Sequence, residues 1–324
     1  MLFKFQKYLQ PTHYFSLSKV NKKTIFPIVE RLPESIKLQL EPDEKYSCKT
    51  AQDYDLSWQA IQKGYIGNAK TYRSIEELSI VDNYHFIRTC FHKAWVFYVL
   101  VCRIFSFHNP IKELKAWYKT RTIKQSDYLQ KPIQYPDWQT FDSLLVKNKP
   151  KVTVIIPTLN RYTYLRDVLH DLEQQDYINF EVIVIDQSEP FRNEFYESFN
   201  LDLNVIQQKE KALWLARNTA IKCAKGQYLL FFDDDSRVES DWITNHLKCL
   251  DFFDADISSG VSISKTGGKV PENYAFFRVS DQLDTGNALI KKEVFNLYQV
   301  FKFKNRFNSS CLRFAIGKVT WFIK

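Results

Sequence analysis

The chain has 324 residues, of which 45% are hydrophobic, so it can bury the core of one large domain or two ordinary ones and is not a disordered protein. Its formal net charge is +8, but residues 294–324 contain six Lys or Arg and no Asp or Glu, and the remaining residues are nearly neutral. Because the excess charge is confined to one segment, a nucleic-acid-binding module is the least favoured class.

Six cysteines are scattered along the chain without a C-x-x-C pair, and the N-terminus has no cleavable secretory signal. This pattern predicts a cytoplasmic protein with free thiols. The most apolar run, residues 94–107, contains Arg103 and is shorter than the roughly 20 residues of a membrane-spanning helix. We therefore predict a helix there that is either buried or lies on a membrane surface, and the buried position is favoured.

Residues 1–150 contain no motif that is tied to a chemical reaction, and we predict a mainly helical extension of unknown role. Within it, Asn109-Pro110 predicts the start of a helix that ends near Thr120. One side of this helix is apolar and another is basic, with Ile111, Leu114 and Tyr118 on the first and Lys112, Lys115 and Lys119 on the second. Such a pattern is typical of an ordinary solvated helix or of a helix that attaches to an anionic membrane surface.

Strand and helix patterns alternate after the proline-containing segment 147–151, where we place a domain boundary. Strands are predicted over 152–156, 180–185, 203–206 and 227–232. Apolar residues at 165, 168, 169 and 172 predict the first helix, and further helices are predicted over about 212–224 and from Ser240 or Asp241. This alternation predicts an α/β domain with a mostly parallel sheet that helices cover on both sides.

Three consecutive aspartates, Asp233, Asp234 and Asp235, follow the last of these strands, where ligands of such sheets bind. Neighbouring carboxylates raise one another's pKa, so a cation is expected beside them. Mg²⁺ or Mn²⁺ suits oxygen ligands and bridges proteins to phosphates, whereas the absence of nearby His or Cys argues against zinc. By itself the triplet also fits a solvated loop or an N-cap, but the next helix has Ser240 or Asp241 as its own cap.

Four segments of the chain form an ordered set of motifs: VTVIIPTLNR, EVIVIDQSE, LARNTAIKCAKGQYLLFFDDDSRVESDWI and GNALIKKEVF. In this order, over roughly 151–295, they resemble glycosyltransferase family 2, the inverting enzymes with the GT-A nucleotide-sugar fold. The resemblance implies a Rossmann-like catalytic domain at 151–295, an N-terminal extension at 1–150 and an atypical basic, aromatic tail at 296–324.

The resemblance also implies a donor site for a nucleotide sugar. Asp186 would accept a hydrogen bond from a uracil or thymine imide N–H, and Arg217 would order the base pocket and the aspartates. Asp233 and Asp235 match the outer positions of the family's DxD motif, with Asp233 near the ribose and both residues assigned to the Mn²⁺ or Mg²⁺ ion. The other donor-site residues that the resemblance implies are Pro157, Thr158, Arg161 and Asp234.

Plainer structural roles stay open for several of these residues. Asp186 could end its strand in an Asx turn, and Arg217 could form a structural salt bridge. Gly286 and Asn287 match the acceptor side of the family's site, but they also fit a turn before a strand.

The expected general base is missing from its usual place, because no acidic residue follows Glu293. Family members present this base beyond the segment that matches GNALIKKEVF, so the chain is expected to lack the usual C-terminal part. Asp281 and Asp284 are the substitute candidates for a carboxylate that takes the acceptor's proton. A base supplied by a partner chain and a protein without transferase activity are the alternatives.

The predicted function is metal-dependent transfer of a hexose from a nucleotide-diphosphate sugar, UDP-linked by preference, to a hydroxyl acceptor in surface polysaccharide or glycolipid synthesis. The expected setting is the cytoplasm or the inner face of a membrane, with a glycan or lipid-linked acceptor. The alternative is a catalytically impaired nucleotide-sugar-binding or membrane-associated protein. Dehydrogenases, P-loop nucleotidases and nucleophile-elbow hydrolases are excluded because the chain lacks their glycine-containing motifs.

Overall fold

A computed structural model describes residues 1–9, 24–264, 275–279, 283–297, 314–316 and 322–323. The chain forms two compact units, Met1–Gln134 and Tyr135–Lys324. Each unit has its own core, so each is described by itself. The cysteines within the described residues are all free thiols, and Cys311 lies outside those residues.

The first unit is helical, as predicted. Its α-helices are α1 (Glu34–Lys37), α2 (Lys49–Gln62), α3 (Ile80–Cys90), α4 (Lys93–Phe105) and α5 (Pro110–Lys119), and short 3₁₀ helices cover Lys4–Tyr8, Val29–Arg31 and Tyr128–Gln130. Aromatic side chains build its core: the rings of Phe3 and Phe86 stack with centroids 3.9 Å apart, and Trp58 meets Phe86 edge-on at 5.3 Å. Such aromatic pairs stabilise a core beyond the area that they bury.

The predicted start of α5 is confirmed. The Asn109 side chain accepts a hydrogen bond from the backbone N–H of Lys112 at 3.1 Å, and Pro110 occupies the first helical turn. Asparagine is a favoured N-cap because it satisfies one of the free N–H groups of that turn. The helix ends at Lys119, one residue before the predicted Thr120.

The apolar run at 94–107 is helical, but the prediction that it is buried holds for one stripe only. Helix α4 buries Val96, Val99, Leu100 and Arg103 and leaves most of its other side chains exposed or half-buried. Among the helices of the described residues, none is both long enough and apolar enough to cross a bilayer.

The second unit alternates strands and helices. Its helices are α6 (Asp137–Thr140), α7 (Leu144–Lys147), α8 (Tyr162–Glu173), α9 (Leu213–Cys223), α10 (Trp242–Phe252) and α11 (Val294–Leu297), with a 3₁₀ helix at Asn193–Ser198. Its strands are β1 (Val152–Thr158), β2 (Phe180–Asp186), β3 (Leu203–Gln207), β4 (Tyr228–Phe232), β5 (Ser236–Arg237), β6 (Ile257–Ser259), β7 (Ile263–Ser264), β8 (Asn287–Lys291), β9 (Phe314–Ile316) and β10 (Phe322–Ile323). The elements predicted in this part of the chain are all found, with their ends shifted by two residues or fewer.

The main sheet has the order β3-β2-β1-β4-β8-β6-β9. Strands β3, β2, β1 and β4 are parallel, β8 is antiparallel to both β4 and β6, and β9 is parallel to β6. A small second sheet has the order β5-β10-β7. The predicted α/β class with a mostly parallel sheet is thereby confirmed.

Strand register decides which residues meet at the edge of this sheet. Thr158 at the end of β1 lies opposite Asp186 at the end of β2, and β4 ends at Phe232, directly before the aspartate triplet. All seven residues of β1 are buried, as expected of a central strand covered on both faces. The apolar stripe of α8, Leu165, Val168, Leu169 and Leu172, is buried as predicted. The strand ends therefore stand on a rigid core.

Residues 135–150 pack within the second unit. The Ser143 hydroxyl donates to Asp251 Oδ2 at 2.6 Å, and the ring of Tyr135 meets that of Phe253 at 5.0 Å. The division between the compact units thus precedes the segment where we placed the boundary. The limits 1–150, 151–295 and 296–324 stay a prediction about functional regions.

Candidate functional site

Residues that follow β1 and β4 meet at the C-terminal edge of the sheet. The Thr158 hydroxyl donates to Asp234 Oδ2 at 2.7 Å. Arg161, directly before α8, donates through Nη1 to Asp234 Oδ1 at 3.2 Å and to Asp235 Oδ2 at 2.6 Å. Two segments that are over seventy residues apart in sequence are joined here by charged hydrogen bonds, which are the stronger kind.

Helix α9 brings a second guanidinium to the triplet. Arg217 donates through Nη2 to Asp233 Oδ1 at 3.3 Å and to the carbonyl oxygen of Thr285 at 3.1 Å. Burial raises the pKa of the Asp233 carboxyl, and Arg217 opposes that rise. Burial also lowers the pKa of Arg217. Both pKa shifts disfavour the charged forms. A ligand that brings charge of either sign to this place therefore changes the ionisation of both Asp233 and Arg217.

The cation expected beside the triplet is present in the protein itself. Burial raises the pKa of Asp234, and hydrogen bonds from Thr158 and Arg161 act in the opposite direction. The neighbouring Asp234 and Asp235 in turn raise the pKa of Arg161. The triplet is therefore neither a solvated loop nor an N-cap, since α10 begins at Trp242, well beyond it.

Asp233 and Asp235 have the right chemistry for a divalent cation. Their carboxylate oxygens suit Mg²⁺ or Mn²⁺, and 46% and 36% of their side-chain surfaces are exposed. Among the described residues, no group of three or more acidic, His or Cys side chains is arranged around a metal position. Mg²⁺ in phosphate-binding enzymes needs only one or two carboxylates, because substrate phosphates complete its shell. The residues fit such an ion, provided that Asp235 exchanges Arg161 for it.

Gly286 lies against the carboxylates of Asp233 and Asp284. A Cβ atom added to Gly286 would be 2.9 Å from Asp233 Cγ, still closer to Asp233 Oδ2, and 3.2 Å from Asp284 Oδ1. Its backbone N–H donates to Asp284 Oδ1 at 2.9 Å. Asp284 is exposed and stands beside the triplet, whereas Asp281 lies outside the described residues. Glycine is required here because both carboxylates approach its Cα closely.

The Asn287 side chain is buried within the protein, and the acceptor-side role of this residue stays a prediction. It is buried, and its Oδ1 accepts hydrogen bonds from Trp242 Nε1 at 3.2 Å and from His246 Nε2 at 3.0 Å. Burial lowers the pKa of His246 to about 4, so the imidazole is neutral. Asn287 therefore ties β8 to α10, and a turn precedes the strand at this position.

Asp186 ends β2 as predicted, and its carboxylate is completely buried. Oδ1 accepts from the backbone N–H of Ser188 at 2.8 Å, which is the Asx turn considered above. Oδ2 accepts from the hydroxyls of Tyr162 at 2.7 Å and Tyr196 at 2.8 Å. A carboxylate has about four acceptor positions, and these donors occupy three of them.

Tyr162 and Tyr196 are site residues that the sequence reasoning missed. Burial and the neighbouring Asp186 raise the pKa of both hydroxyls, which keeps them protonated as donors. Tyr162 is the first residue of α8, and Tyr196 lies in the 3₁₀ helix after β2. Their one sequence signal is that each follows a strand end, and aromatic residues there are too common to be distinctive.

The loops after β1 and β2 support each other. Asn160 adopts a left-handed backbone conformation with φ of 58°, which Asn tolerates better than most residues. Its N–H donates to Ser188 Oγ at 2.7 Å, and its Oδ1 accepts from the N–H of Glu189 at 3.0 Å. Pro157 is buried within β1. The edge of the sheet thus presents carboxylates and guanidinium groups beside the buried Asp186.

Comparison with known proteins finds similarity over the region of the chain that contains this site. The profile described as "Glycosyl transferase family 2" matches residues 153–316, about half of the chain. Glycosyltransferase GlyA of Streptococcus pneumoniae is 34% identical over 114 residues, which are 34% of this chain and 16% of GlyA. Poly(ribitol-phosphate) beta-N-acetylglucosaminyltransferase TarS of Staphylococcus aureus is 27% identical over 114 residues, 33% of this chain and 20% of TarS.

A solved structure of S. aureus TarS 1-349 in complex with UDP-GlcNAc is similar at 20% identity and a TM-score of 0.45, covering 53% of this chain and 58% of that one. The two relatives are thus matched over less than a quarter of their own lengths. The profile match includes both the strand ends and the aspartate triplet that Arg161 and Arg217 contact. The chain belongs to glycosyl transferase family 2.

Proposed function

We propose that this protein transfers a sugar from a nucleotide-diphosphate sugar, UDP-linked by preference, to a hydroxyl of a surface polysaccharide or glycolipid. The observation that carries the proposal is the convergence of Thr158, Arg161 and Arg217 on the three aspartates at the C-terminal edge of the sheet. An acidic cluster framed by guanidinium groups suits a diphosphate together with its divalent ion. The name of the relative TarS, a sugar transferase of poly(ribitol-phosphate), supports a cell-surface polymer as the acceptor.

In this proposal Asp186 recognises the base. Its remaining acceptor position matches the imide N–H of uracil, and cytosine has no such donor at that ring nitrogen. Asp233 lies toward the ribose, and with Asp235 it holds Mn²⁺ or Mg²⁺. The ion neutralises charge on the departing diphosphate. Arg161, once released by Asp235, keeps its hydrogen bond to Asp234 and has its other N–H donors available to the phosphate oxygens.

Transfer also needs a group that takes a proton. The acceptor hydroxyl gives its proton to a carboxylate as its oxygen forms a bond to the anomeric carbon, and the bond from that carbon to the diphosphate breaks with both electrons going to the diphosphate. Asp284 is proposed as this base because it is exposed and borders the triplet through Gly286. The setting proposed is the cytoplasmic face of a membrane, where lipid-linked acceptors are found.

A second candidate is binding of the nucleotide sugar without transfer. It is favoured by the engagement of Asp284 Oδ1 with the backbone N–H of Gly286. The two candidates share the donor site and differ in turnover.

Isothermal titration of UDP and UDP-sugars, with and without Mn²⁺, tests the donor site. Wild type is expected to bind UDP more tightly with Mn²⁺, and Asp235→Ala is expected to lose that gain. Asp241→Ala is the matched control, because Asp241 is an exposed aspartate whose side chain makes no capping hydrogen bond. Equal binding by Asp235→Ala and wild type would refute the metal assignment.

Asp186→Asn tests the recognition of the base. An amide in place of the carboxylate presents a donor as well as an acceptor, so the preference for UDP over CDP should fall. Turnover of UDP-sugars in the presence of candidate acceptors separates the enzyme from the binding protein. Release of UDP that Asp284→Asn abolishes, with UDP affinity retained, would support the transferase.

A further inference from the structure

The outward side of α4 and α5 is an exposed apolar surface in the first unit. Its main side chains are Phe97, Tyr98, Phe105, Phe107, Ile111 and Leu114, which we call the hairpin surface, and their exposed fractions lie between 48% and 99%. Soluble proteins seldom expose so many large apolar side chains in a contiguous patch unless the patch binds something.

Packing fixes this surface on the outside of the unit. The inward side of α4 is the stripe that includes Arg103, and the inward side of α5 carries Glu113. Arg103 Nη2 donates to Glu113 Oε1 at 2.6 Å, and the Tyr84 hydroxyl donates to Glu113 Oε2 at 2.9 Å. At 100° per residue, Phe105 and Ile111 lie opposite these anchors. The Arg103–Glu113 pair is thus used on the inward side, and the residues of the hairpin surface lie on the outward side.

Phe107 shows that the connection between the helices is not optimised for stability alone. Ser106 caps α4, and Phe107 follows it with φ of 59°, a left-handed conformation that helix C-termini normally assign to glycine. The N–H groups of Phe107 and His108 donate to the carbonyl oxygens of Ile104 and Arg103 at 3.1 and 3.2 Å, as in a helix C-cap that normally uses glycine. The ring itself is 99% exposed, so packing of the side chain does not explain why phenylalanine stands at this position. Strain of this kind is retained where a residue serves a function.

The charges around the hairpin surface have one sign. Between Phe91 and Gln125 the single acidic residue is Glu113, which is buried and paired with Arg103. The exposed charged side chains of this segment are all basic: Lys93, Lys112, Lys115, Lys119, Arg121 and Lys124. Aromatic and aliphatic groups flanked by lysines are typical of helices that lie in the interface of an anionic bilayer.

A basic cavity lies at the other end of the same hairpin. It has a volume of about 340 Å³, and Arg88, Lys93, Arg121 and Lys124 are among its lining residues. Four cationic side chains around one cavity favour an anionic group of phosphate size. The apolar side chains and the cavity thus point to the same partner, because a phospholipid offers both an acyl region and a phosphate.

We propose that the hairpin surface docks this protein on an anionic phospholipid bilayer, with α4 and α5 lying in the plane of the interface. The inference deepens the membrane setting of the proposed function and rests on that part of it alone. It assigns to the first unit the task of holding the enzyme where a lipid-linked acceptor is available.

Co-sedimentation of the full chain with vesicles tests the apolar contribution. Wild type is expected to bind phosphatidylcholine vesicles that contain phosphatidylglycerol, and Phe105→Ser/Phe107→Ser/Ile111→Ser should weaken binding by about tenfold or more. The matched control replaces three equally exposed apolar residues elsewhere with serine. They are Leu38, Leu144 and Ile178, with exposed fractions of 67–80%, and this control should bind like wild type.

The charge contribution needs its own variants. Lys112→Gln/Lys115→Gln/Lys119→Gln should also weaken binding by about tenfold or more and should remove most of the preference for phosphatidylglycerol over phosphatidylcholine alone. Lys45, Lys222 and Lys225 are exposed in other parts of the chain, and their triple replacement with glutamine is the control.

Two results would overturn the inference. Equal vesicle binding by the wild type and the serine variant of the hairpin surface is one. The other is a wild-type dimer in gel filtration that the serine variant converts to a monomer while neither chain binds vesicles, since the surface would then pair two copies. UDP titration of the same variants is a separate measurement. Absence of UDP binding would count against the donor site, whereas vesicle binding counts only for or against membrane docking.

Discussion

Replacing Gly286 with alanine should damage the donor site while leaving the fold intact. The added Cβ would lie 2.9 Å from Asp233 Cγ, roughly 0.6 Å or more inside ordinary carbon contact. The Asp233 side chain is 46% exposed, so it can rotate toward solvent, and the loss of stability should stay below the ~1–3 kcal/mol typical of overpacking. Rotation separates the carboxylate from Arg217 and from a bound nucleotide.

The loss of a charged hydrogen bond to the donor is worth about 1.5–3 kcal/mol, or about ten- to hundredfold in affinity. We expect Gly286→Ala to show that loss in titrations with UDP and Mn²⁺, with a thermal unfolding temperature close to that of wild type. Gly226→Ala is the control with the opposite profile. Its Cβ would meet the backbone N of Thr153 at 2.6 Å, at the far edge of the sheet, so it should lower stability before it changes UDP affinity. Wild-type UDP affinity in folded Gly286→Ala would refute the reasoning.

Three further predictions concern the rest of the molecule. Tyr196→Phe removes one of two hydroxyl donors from the buried carboxylate that ends β2, and it should cost about 1–3 kcal/mol in denaturant unfolding, whereas Tyr164→Phe at an exposed site should cost little. Phe107→Gly should relieve left-handed strain and raise the unfolding temperature while weakening vesicle binding, and a drop in both would contradict the account of that residue. Burial raises the pKa of Asp55 to about 6, so the stability that its protonated form gives the first unit is lost as pH rises from about 4 through 6. Burial lowers the pKa of His246 to about 4, so the stability that its neutral form gives the second unit is lost as pH falls from about 6.5 through 4. Each change in the free energy of unfolding should be on the order of 3 kcal/mol. Hydrogen exchange should show that stability falls with rising pH in the first unit and with falling pH in the second. Asp55→Asn and His246→Gln should abolish these two dependences.

Local patterns were enough to predict most of the second unit. The spacing of Leu165, Val168, Leu169 and Leu172 identified the buried side of α8, and β-branched runs identified β1 and β2. These signals depend on residues a few positions apart, which is why they can be read without tertiary information. The position of the aspartate triplet at a strand end followed from the same patterns.

Long-range pairing could not be predicted in the same way. The sequence predicted a cation beside the triplet but not that Arg161 and Arg217 would be the residues that pair with the aspartates. The sequence likewise did not predict that Asn287 is buried against Trp242 and His246. These outcomes depend on how α10 and β8 pack, and no spacing along the chain specifies that arrangement.

The apolar run of α4 also shows what could not be predicted from the sequence. High hydrophobicity favoured a buried helix, yet only the stripe with Val96, Val99, Leu100 and Arg103 is covered. Whether an apolar side chain finds a partner depends on how many neighbouring elements surround the helix. Composition gives the number of apolar side chains, but it does not show which of them other parts of the protein cover.

The antiparallel direction of β8 has a consequence for how the site comes into being. Because β8 runs against β4, the residues that precede it return to the edge where β4 ends, and Thr285 and Gly286 complete the surroundings of Arg217 and Asp233. A ribosome delivers β4 more than fifty residues before β8. During synthesis, the aspartate triplet would therefore exist for some seconds without its last neighbours, at the roughly 5–20 residues per second of translation. Donor binding should consequently be among the last properties that the nascent chain acquires.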